Sequence, residues 1–79
     1  MTEKNAVLHY VKPGSKVIVN NICGGTGLKI KLSEMGINRG TKLNVIYNDG
    51  WGPVVIGLAN SRLALGRQIT QKIIVENIA

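Results

Sequence analysis

The chain has 79 residues, 44 % of them hydrophobic, and a formal net charge of +6 at pH 7. This length suits a single domain over residues 1–79, and the apolar content excludes a disordered chain. The single cysteine excludes an internal disulfide and fits a reducing compartment. No apolar run approaches the ~20 residues of a membrane span. The polar N-terminus lacks a signal-peptide core, so we expect a cytoplasmic protein without direct membrane insertion.

The first elements predicted along the chain are a turn and a strand. Residues 6–11 are mildly apolar and give no clear assignment. Pro13 and Gly14 then suit the two central positions of a type II turn. The segment Lys16–Ile22 is rich in β-branched residues and predicts the first core strand.

A short helix is predicted within residues 24–40, where glycines flank an amphipathic segment. Thr26 is the expected N-cap, because its hydroxyl can accept a hydrogen bond from the first helical turn. Gly36 is expected just past the C-terminus in a left-handed conformation, with Ile37 in contact with the helix. Such a short helix is unstable alone, so it must pack on a sheet. Its apolar face carries Leu28, Leu32 and Met35.

The pattern over residues 41–47 predicts a half-buried strand. Leu43, Val45 and Tyr47 alternate with other side chains, so all three are expected on one inner face. The following residues, 48–53, carry the strongest turn signal of the chain and predict a longer loop.

The C-terminal half predicts further short strands. Gly57 interrupts the apolar alternation after the loop and indicates a bulge or sharp bend. Strands are expected over residues 54–58, 62–65 and 72–76, with one helical turn over residues 66–70. About five strands, with one short helix between the first two core strands, predict a mainly β protein that forms a small, partly open barrel.

Four short motifs follow one another along the chain. They are Val-Lys-Pro-Gly at 11–14, Leu-Ser-Glu-Met-Gly-Ile-Asn-Arg-Gly-Thr at 32–41, Trp-Gly-Pro-Val at 51–54 and Arg-Leu-Ala-Leu-Gly-Arg at 62–67. In this order they resemble ferrous iron transport proteins of the FeoA family, whose fold is an SH3-like β-barrel. His9 and Tyr10 depart from the leucine-rich start usual in that family. Within these motifs we assign a structural role, and not a binding role, to six residues: Leu32, Met35, Gly36, Gly40, Pro53 and Leu65.

The resemblance implies a small, non-enzymatic accessory protein of ferrous iron uptake. Its implied partner is FeoB, the membrane transporter with a cytoplasmic GTP-binding domain. The resemblance leaves docking, assembly and modulation of nucleotide hydrolysis open as mechanisms. The same domain type also occurs fused to iron-dependent repressors, where it acts as an intramolecular binding module.

The residues themselves give no sign of catalysis or of a cofactor. Catalysis usually needs a nucleophile with a base or a pair of carboxylates, whereas the four acidic residues here are scattered. The glycine-rich run at residues 24–27 lacks the Gly-Lys-Ser/Thr ending of a phosphate-binding P-loop. His9 and Cys23 are the only good nitrogen and sulfur metal ligands, and a transition-metal site needs three or four. We therefore predict no metal site, and interpret them as a surface imidazole and a buried or half-buried thiol.

Candidate partner-binding residues are one aromatic side chain and five cations. Trp51 stands in a glycine-flanked loop, where it is either exposed for binding or folded over the end of the barrel. The cations either form a basic surface or are scattered solvated charges. They are Lys29, Lys31, Arg39, Arg62 and Arg67.

A small basic barrel that binds nucleic acid is the alternative function. Such proteins combine positive charge with aromatic stacking platforms. Tyr10, Tyr47 and Trp51 are the only aromatic residues and lie on separate segments, which is a poor basis for a platform. We therefore expect a protein partner and no nucleic acid.

Overall fold

A computed structural model describes residues 5–78 of the chain. It contains six strands, two α-helices and one turn of 3-10 helix at Leu8–Tyr10. Neither α-helix in this described part has the length and apolar character needed to cross a membrane. In chain order the elements are β1 (Asn5–Val7), β2 (Lys16–Ile22), α1 (Thr26–Glu34), β3 (Lys42–Tyr47), β4 (Val54–Gly57), β5 (Arg62–Leu65), α2 (Arg67–Thr70) and β6 (Ile73–Asn77).

The strands form one antiparallel sheet in the order β1-β6-β2-β3-β4-β5. The sheet is open, since no ladder of hydrogen bonds joins β1 to β5 within residues 5–78. The prediction of a mainly β chain with a short helix after the first core strand is confirmed, but the predicted partly open barrel is not, because the sheet does not close. The prediction of about five strands missed β1, which pairs with β6 through three residues. The mildly apolar sequence before Pro13 carries no alternation that would reveal it.

The core is aliphatic and lies on one face of this sheet. Alternate residues of β2, β3, β4 and β6 point into it, and Ile73 and Val75 of β6 are fully buried as their pattern predicts. Helix α1 contributes Leu32, with Leu28 and Met35 packed at the edge. The buried cluster consists of Leu8, Val11, Val17, Val19, Ile22, Leu32, Ile37, Leu43, Val45, Val54, Ile56, Leu65, Ile73 and Val75.

Glycines flank helix α1 on both sides. Gly25 is the N-cap, with extended backbone, and its carbonyl accepts hydrogen bonds from Leu28 and Lys29. Thr26 is the first helical residue, so its predicted role as N-cap is wrong, and no side chain caps this end. At the other end Gly36 has φ +89° and confirms the prediction of a left-handed residue.

The C-terminus of α1 is closed by a Schellman motif. The Ile37 N–H donates to the Leu32 carbonyl at 2.8 Å, and the Gly36 N–H donates to the Ser33 carbonyl at 2.9 Å. These are the two hydrogen bonds that define the motif. Because Leu32 and Ile37 are both fully buried, the motif also directs the chain from the helix into the core.

The β3–β4 pairing contains one irregularity. Val45 pairs with Ile56 but Tyr47 pairs with Val55, so Ile46 is an extra residue on β3. This shift turns Tyr47 outward, where 52 % of its side chain is exposed, and the prediction of an inward Tyr47 is wrong. Gly57 is not the bulge. It lies beside Ile46, and a Cβ there would come within 3.1 Å of the Ile46 Cδ1 atom.

Candidate functional site

The loop between β3 and β4 is organised by the carboxylate of Asp49. Its Oδ1 atom accepts hydrogen bonds from the N–H groups of Trp51 at 2.9 Å and Gly52 at 3.0 Å. Its Oδ2 atom accepts the Tyr47 hydroxyl at 3.1 Å. The bonds from Gly52 and Trp51 lower the pKa of Asp49, and its carboxylate in turn raises the pKa of Tyr47. The Asp49 carboxylate therefore restrains both the backbone of the loop and the Tyr47 hydroxyl.

Asn48 fixes this loop to the N-terminal part of the chain. Its Nδ2 atom donates to the carbonyl of His9 at 2.7 Å and to that of Val11 at 2.9 Å. The same side chain accepts the Gly50 N–H through Oδ1 at 2.9 Å. Through these bonds Tyr10 comes to line one depression together with Asp49 and Gly50.

Each aromatic residue of the chain lies in this loop or in a segment that contacts it. Trp51 is 79 % exposed, Tyr10 75 % and Tyr47 52 %. Of the two alternatives for Trp51, exposure is therefore the one observed. The three aromatic residues lie on separate segments, and Asn48 joins the segment that carries Tyr10 to this loop. We refer to Tyr10, Tyr47 and Trp51 together as the aromatic surface.

Arg67 is the predicted cation that adjoins this surface. It is the first residue of α2, and its Nη1 atom donates to the Trp51 carbonyl at 3.4 Å. Pro53 follows the loop and is exposed. The guanidinium thus adds a positive charge next to Trp51 and a further restraint on the loop.

The other four predicted cations lie elsewhere. Lys29 and Arg39 line one depression of about 300 Å³, and the Arg39 Nε atom donates to the Asn20 carbonyl at 3.2 Å. Lys31 is exposed on α1, and Arg62 is the first residue of β5. The five cations do not form one continuous surface, because strand order separates the elements that carry them.

His9 and Cys23 have the reverse of their expected exposure. His9 is buried, with its Nδ1 atom 3.5 Å from the Thr70 Oγ1 atom of α2, whereas Cys23 is exposed. Among residues 5–78 no three His, Cys, Asp or Glu side chains converge as metal ligands would. The described residues thus include exposed side chains that could contact a partner, but no group of side chains arranged to coordinate a metal ion.

The sequence predicts Trp51 and Arg67 as candidate binding residues, but it does not indicate the residues that position them. Asn48 and Asp49 were read only as turn formers, although both side chains commonly hydrogen-bond to backbone N–H groups two or three residues onward. That tendency was the available signal for an ordered loop. The contact of Asn48 with the carbonyls near Tyr10 has no local signal, because it joins residues far apart in the chain.

Comparisons with known proteins agree in both sequence and fold. The model of the FeoA domain matches residues 7–77. An Fe(2+) transport protein A of Methanocaldococcus jannaschii is 46 % identical over 70 residues, which is 89 % of this chain and 84 % of the relative. The crystal structure of an iron uptake regulatory protein (FeoA) superposes with a TM-score of 0.88 at 31 % identity, covering 94 % of this chain and 99 % of the other.

A manganese-dependent transcriptional repressor shares the fold. It superposes with a TM-score of 0.87 over 99 % of this chain, which spans 44 % of the repressor, at 19 % identity. At this identity the likeness concerns the fold alone. The family itself is shown by the FeoA domain match over residues 7–77 and by the relative at 46 % identity, so this chain belongs to the FeoA domain family.

Proposed function

We propose that this chain is a cytoplasmic accessory protein of ferrous iron uptake that binds a FeoB-type membrane transporter. It acts by docking and not by catalysis, and the aromatic surface makes the central contact. The observation that carries the proposal is the exposure of Trp51, at 79 %, on an ordered loop. Membership of an iron transport family supplies the class of partner.

Exposed aromatic residues beside an arginine are typical of binding hot spots. Trp, Tyr and Arg are the residues whose truncation most often costs a protein interface 2 kcal/mol or more. Trp51, Tyr47 and Tyr10 present large apolar areas, and Arg67 adds a cation next to Trp51. A partner that covers Trp51 removes this apolar area from water, which is favourable by about 25 cal/mol for each Å².

The order of the loop lowers the cost of binding. Association is weakened by every side chain and loop that must become ordered. Here Asp49 already holds the Trp51 and Gly52 backbone, while Asn48 ties the loop to the carbonyls of His9 and Val11. The aromatic surface therefore approaches its bound geometry before a partner arrives.

The net charge of +6 favours an acidic surface on the partner. Complementary charge mainly accelerates encounter and improves specificity. Under this proposal Lys29, Lys31, Arg39 and Arg62 guide the approach, and Arg67 lies in the contact. Mutation of a guiding cation should lower the association rate and its salt dependence, but should change the dissociation rate little.

The direct test is binding of the purified chain to the detergent-solubilised FeoB-type transporter from the same source. Trp51→Ala should weaken binding about thirtyfold, equivalent to ~2 kcal/mol. Ile30→Ala is the matched control, since Ile30 is 54 % exposed but lies on α1 outside the loop. Equal affinity of the Trp51 and Ile30 variants, or no binding by the unmodified chain, would contradict the proposal.

Nucleic-acid binding is the second candidate, because each of the three aromatic residues lies in the β3–β4 loop or in a segment that contacts it. Stacking platforms for single strands are built from such residues. The Asp49 carboxylate lies at the centre of this surface, however, and its negative charge repels phosphate groups. A fluorescent single-stranded oligonucleotide should consequently not bind, and salt-sensitive binding that Trp51→Ala abolishes would favour this candidate instead.

A further inference from the structure

A second surface lies at the end of the β3–β4 hairpin opposite the aromatic surface. There the turn between β4 and β5 is closed by a hydrogen bond from the Leu58 N–H to the Ser61 carbonyl, at 2.8 Å. Three adjoining depressions, with volumes of about 330, 540 and 580 Å³, surround this turn. Leu58 and Ala59 line all three, and we refer to the three depressions together as the Leu58 groove.

The Leu58 groove has an apolar floor. Ile46 is 38 % exposed and Ile78 45 % exposed, although both are large aliphatic residues. Leu58 and Met35 are only half-buried and pack against the core from this side. The lack of a side chain at Gly57 leaves room for Ile46, whose Cδ1 atom would lie 3.1 Å from an added Cβ. The groove therefore leaves apolar surface in contact with water, which is typical of a surface that a partner covers.

The rim of the groove is positively charged. Lys16, Lys42 and Arg62 line it, and the described lining residues include no Asp or Glu. The three cations come from different strands, β2, β3 and β5, so only the folded sheet brings them together. The sequence pattern predicts Arg62 as one of five candidate cations, and it does not indicate Lys16 or Lys42.

We propose that the Leu58 groove binds an acidic protein segment anchored by an aliphatic or aromatic side chain. The charge of the rim selects acidic residues, and the apolar floor accepts the anchor. Nucleic acid is less suited, because the described lining offers aliphatic side chains where single strands need aromatic platforms. A second copy of this chain is disfavoured by mutual repulsion, since each copy carries a net charge of +6.

The test titrates overlapping synthetic peptides that cover the cytoplasmic segments of the FeoB-type transporter, and this choice of probe rests on the proposed function. Binding is followed by chemical-shift changes of the isotope-labelled chain. Acidic peptides that contain apolar residues should shift the backbone amides of residues 57–61. Their affinity should fall as salt is added, because the interaction between exposed charges is screened.

Variants separate the groove from the aromatic surface. Lys42→Glu and Leu58→Ala should each weaken peptide binding at least tenfold, whereas Trp51→Ala should leave it unchanged. Lys72→Glu is the matched control for charge, since Lys72 is exposed, lies outside the groove and undergoes the same change in charge. Lys42 is exposed, so its variant remains informative even if Leu58→Ala lowers stability.

The outcomes distinguish this proposal from the proposed function. Peptide binding that depends on Trp51 and not on Lys42, or binding of the intact transporter without any peptide binding, would overturn the groove proposal alone. Failure of both the transporter and every peptide to bind would overturn both proposals. Equal losses in Lys42→Glu and Lys72→Glu would show general electrostatic attraction and would also overturn the assignment to the groove.

Discussion

Replacement of Gly36 by alanine tests the closure of α1 most directly. Gly36 has φ +89°, a conformation that costs an L-residue ~1–2 kcal/mol. The nearest heavy atom to an added Cβ is the Leu58 Cδ1 at 3.8 Å, an ordinary contact, so no steric clash is added. Alanine also restricts the unfolded chain, which offsets ~0.4–1 kcal/mol of the strain. The expected net loss is about 1 kcal/mol, or a decrease of about 4–8 °C in the melting temperature.

Gly27→Ala is the control, because the same substitution at this position should raise the stability and not lower it. Gly27 lies within α1, has no positive φ, and an added Cβ there meets no atom within 4 Å. Alanine is favoured over glycine inside a helix by roughly 0.5–1 kcal/mol, so this variant should melt a few degrees higher. Thermal unfolding followed by circular dichroism measures both shifts, and urea unfolding checks that the m-value is unchanged. If Gly36→Ala melts at or above the unmodified chain, the left-handed C-terminal residue is wrongly assigned.

Three further predictions concern the loop and iron. The folded pKa of Asp49 is lowered, so its contribution to stability is present above its unfolded pKa of ~3.9 and is lost as the pH falls through the folded value. Asp49→Asn should therefore flatten the acid side of a plot of urea midpoint against pH, and ultraviolet titration should show the pKa of Tyr47 returning towards ~10. Asn48→Ala leaves the carbonyls of His9 and Val11 without their side-chain donor and should lower the free energy of unfolding by ~1–3 kcal/mol, as measured by urea unfolding. An unchanged free energy of unfolding would contradict the anchoring role of Asn48. Anaerobic titration calorimetry with ferrous ion should detect no tight site, because His9 and Cys23 are too few ligands for one. Saturable low-micromolar binding that His9→Ala or Cys23→Ser abolishes would refute this prediction.

Local sequence patterns predicted the elements that carry a local signal, although their stability depends on packing. The β-branched run gave Lys16–Ile22 with correct bounds, and Gly36 gave the end of α1. The start of α1 was misplaced by one residue, because Gly25 and Thr26 are both acceptable N-caps and the sequence offers no measure of which backbone is extended. Tyr47 was assigned to the wrong face because one extra residue in a strand reverses the alternation beyond it.

The candidate site depended on contacts between distant segments, which local patterns do not encode. His9 is buried by Thr70 of α2, although the intervening sequence covers most of the chain. Tyr10 lines a depression with Asp49 and Gly50, because Asn48 binds the carbonyls on either side of Tyr10. The sequence therefore revealed the residue types suited to binding, but not which of them share a surface.

The place of β6 in the sheet has a consequence for synthesis of the chain. Strand β6 is synthesised after the other five described strands but lies between β1 and β2, and its Ile73 and Val75 are fully buried. Until it emerges, both neighbours lack their shared partner, and closing such long loops makes sheet formation comparatively slow. A premature stop before residue 73 would thus remove the strand that joins β1 to β2, leaving a product that quality-control proteases should degrade.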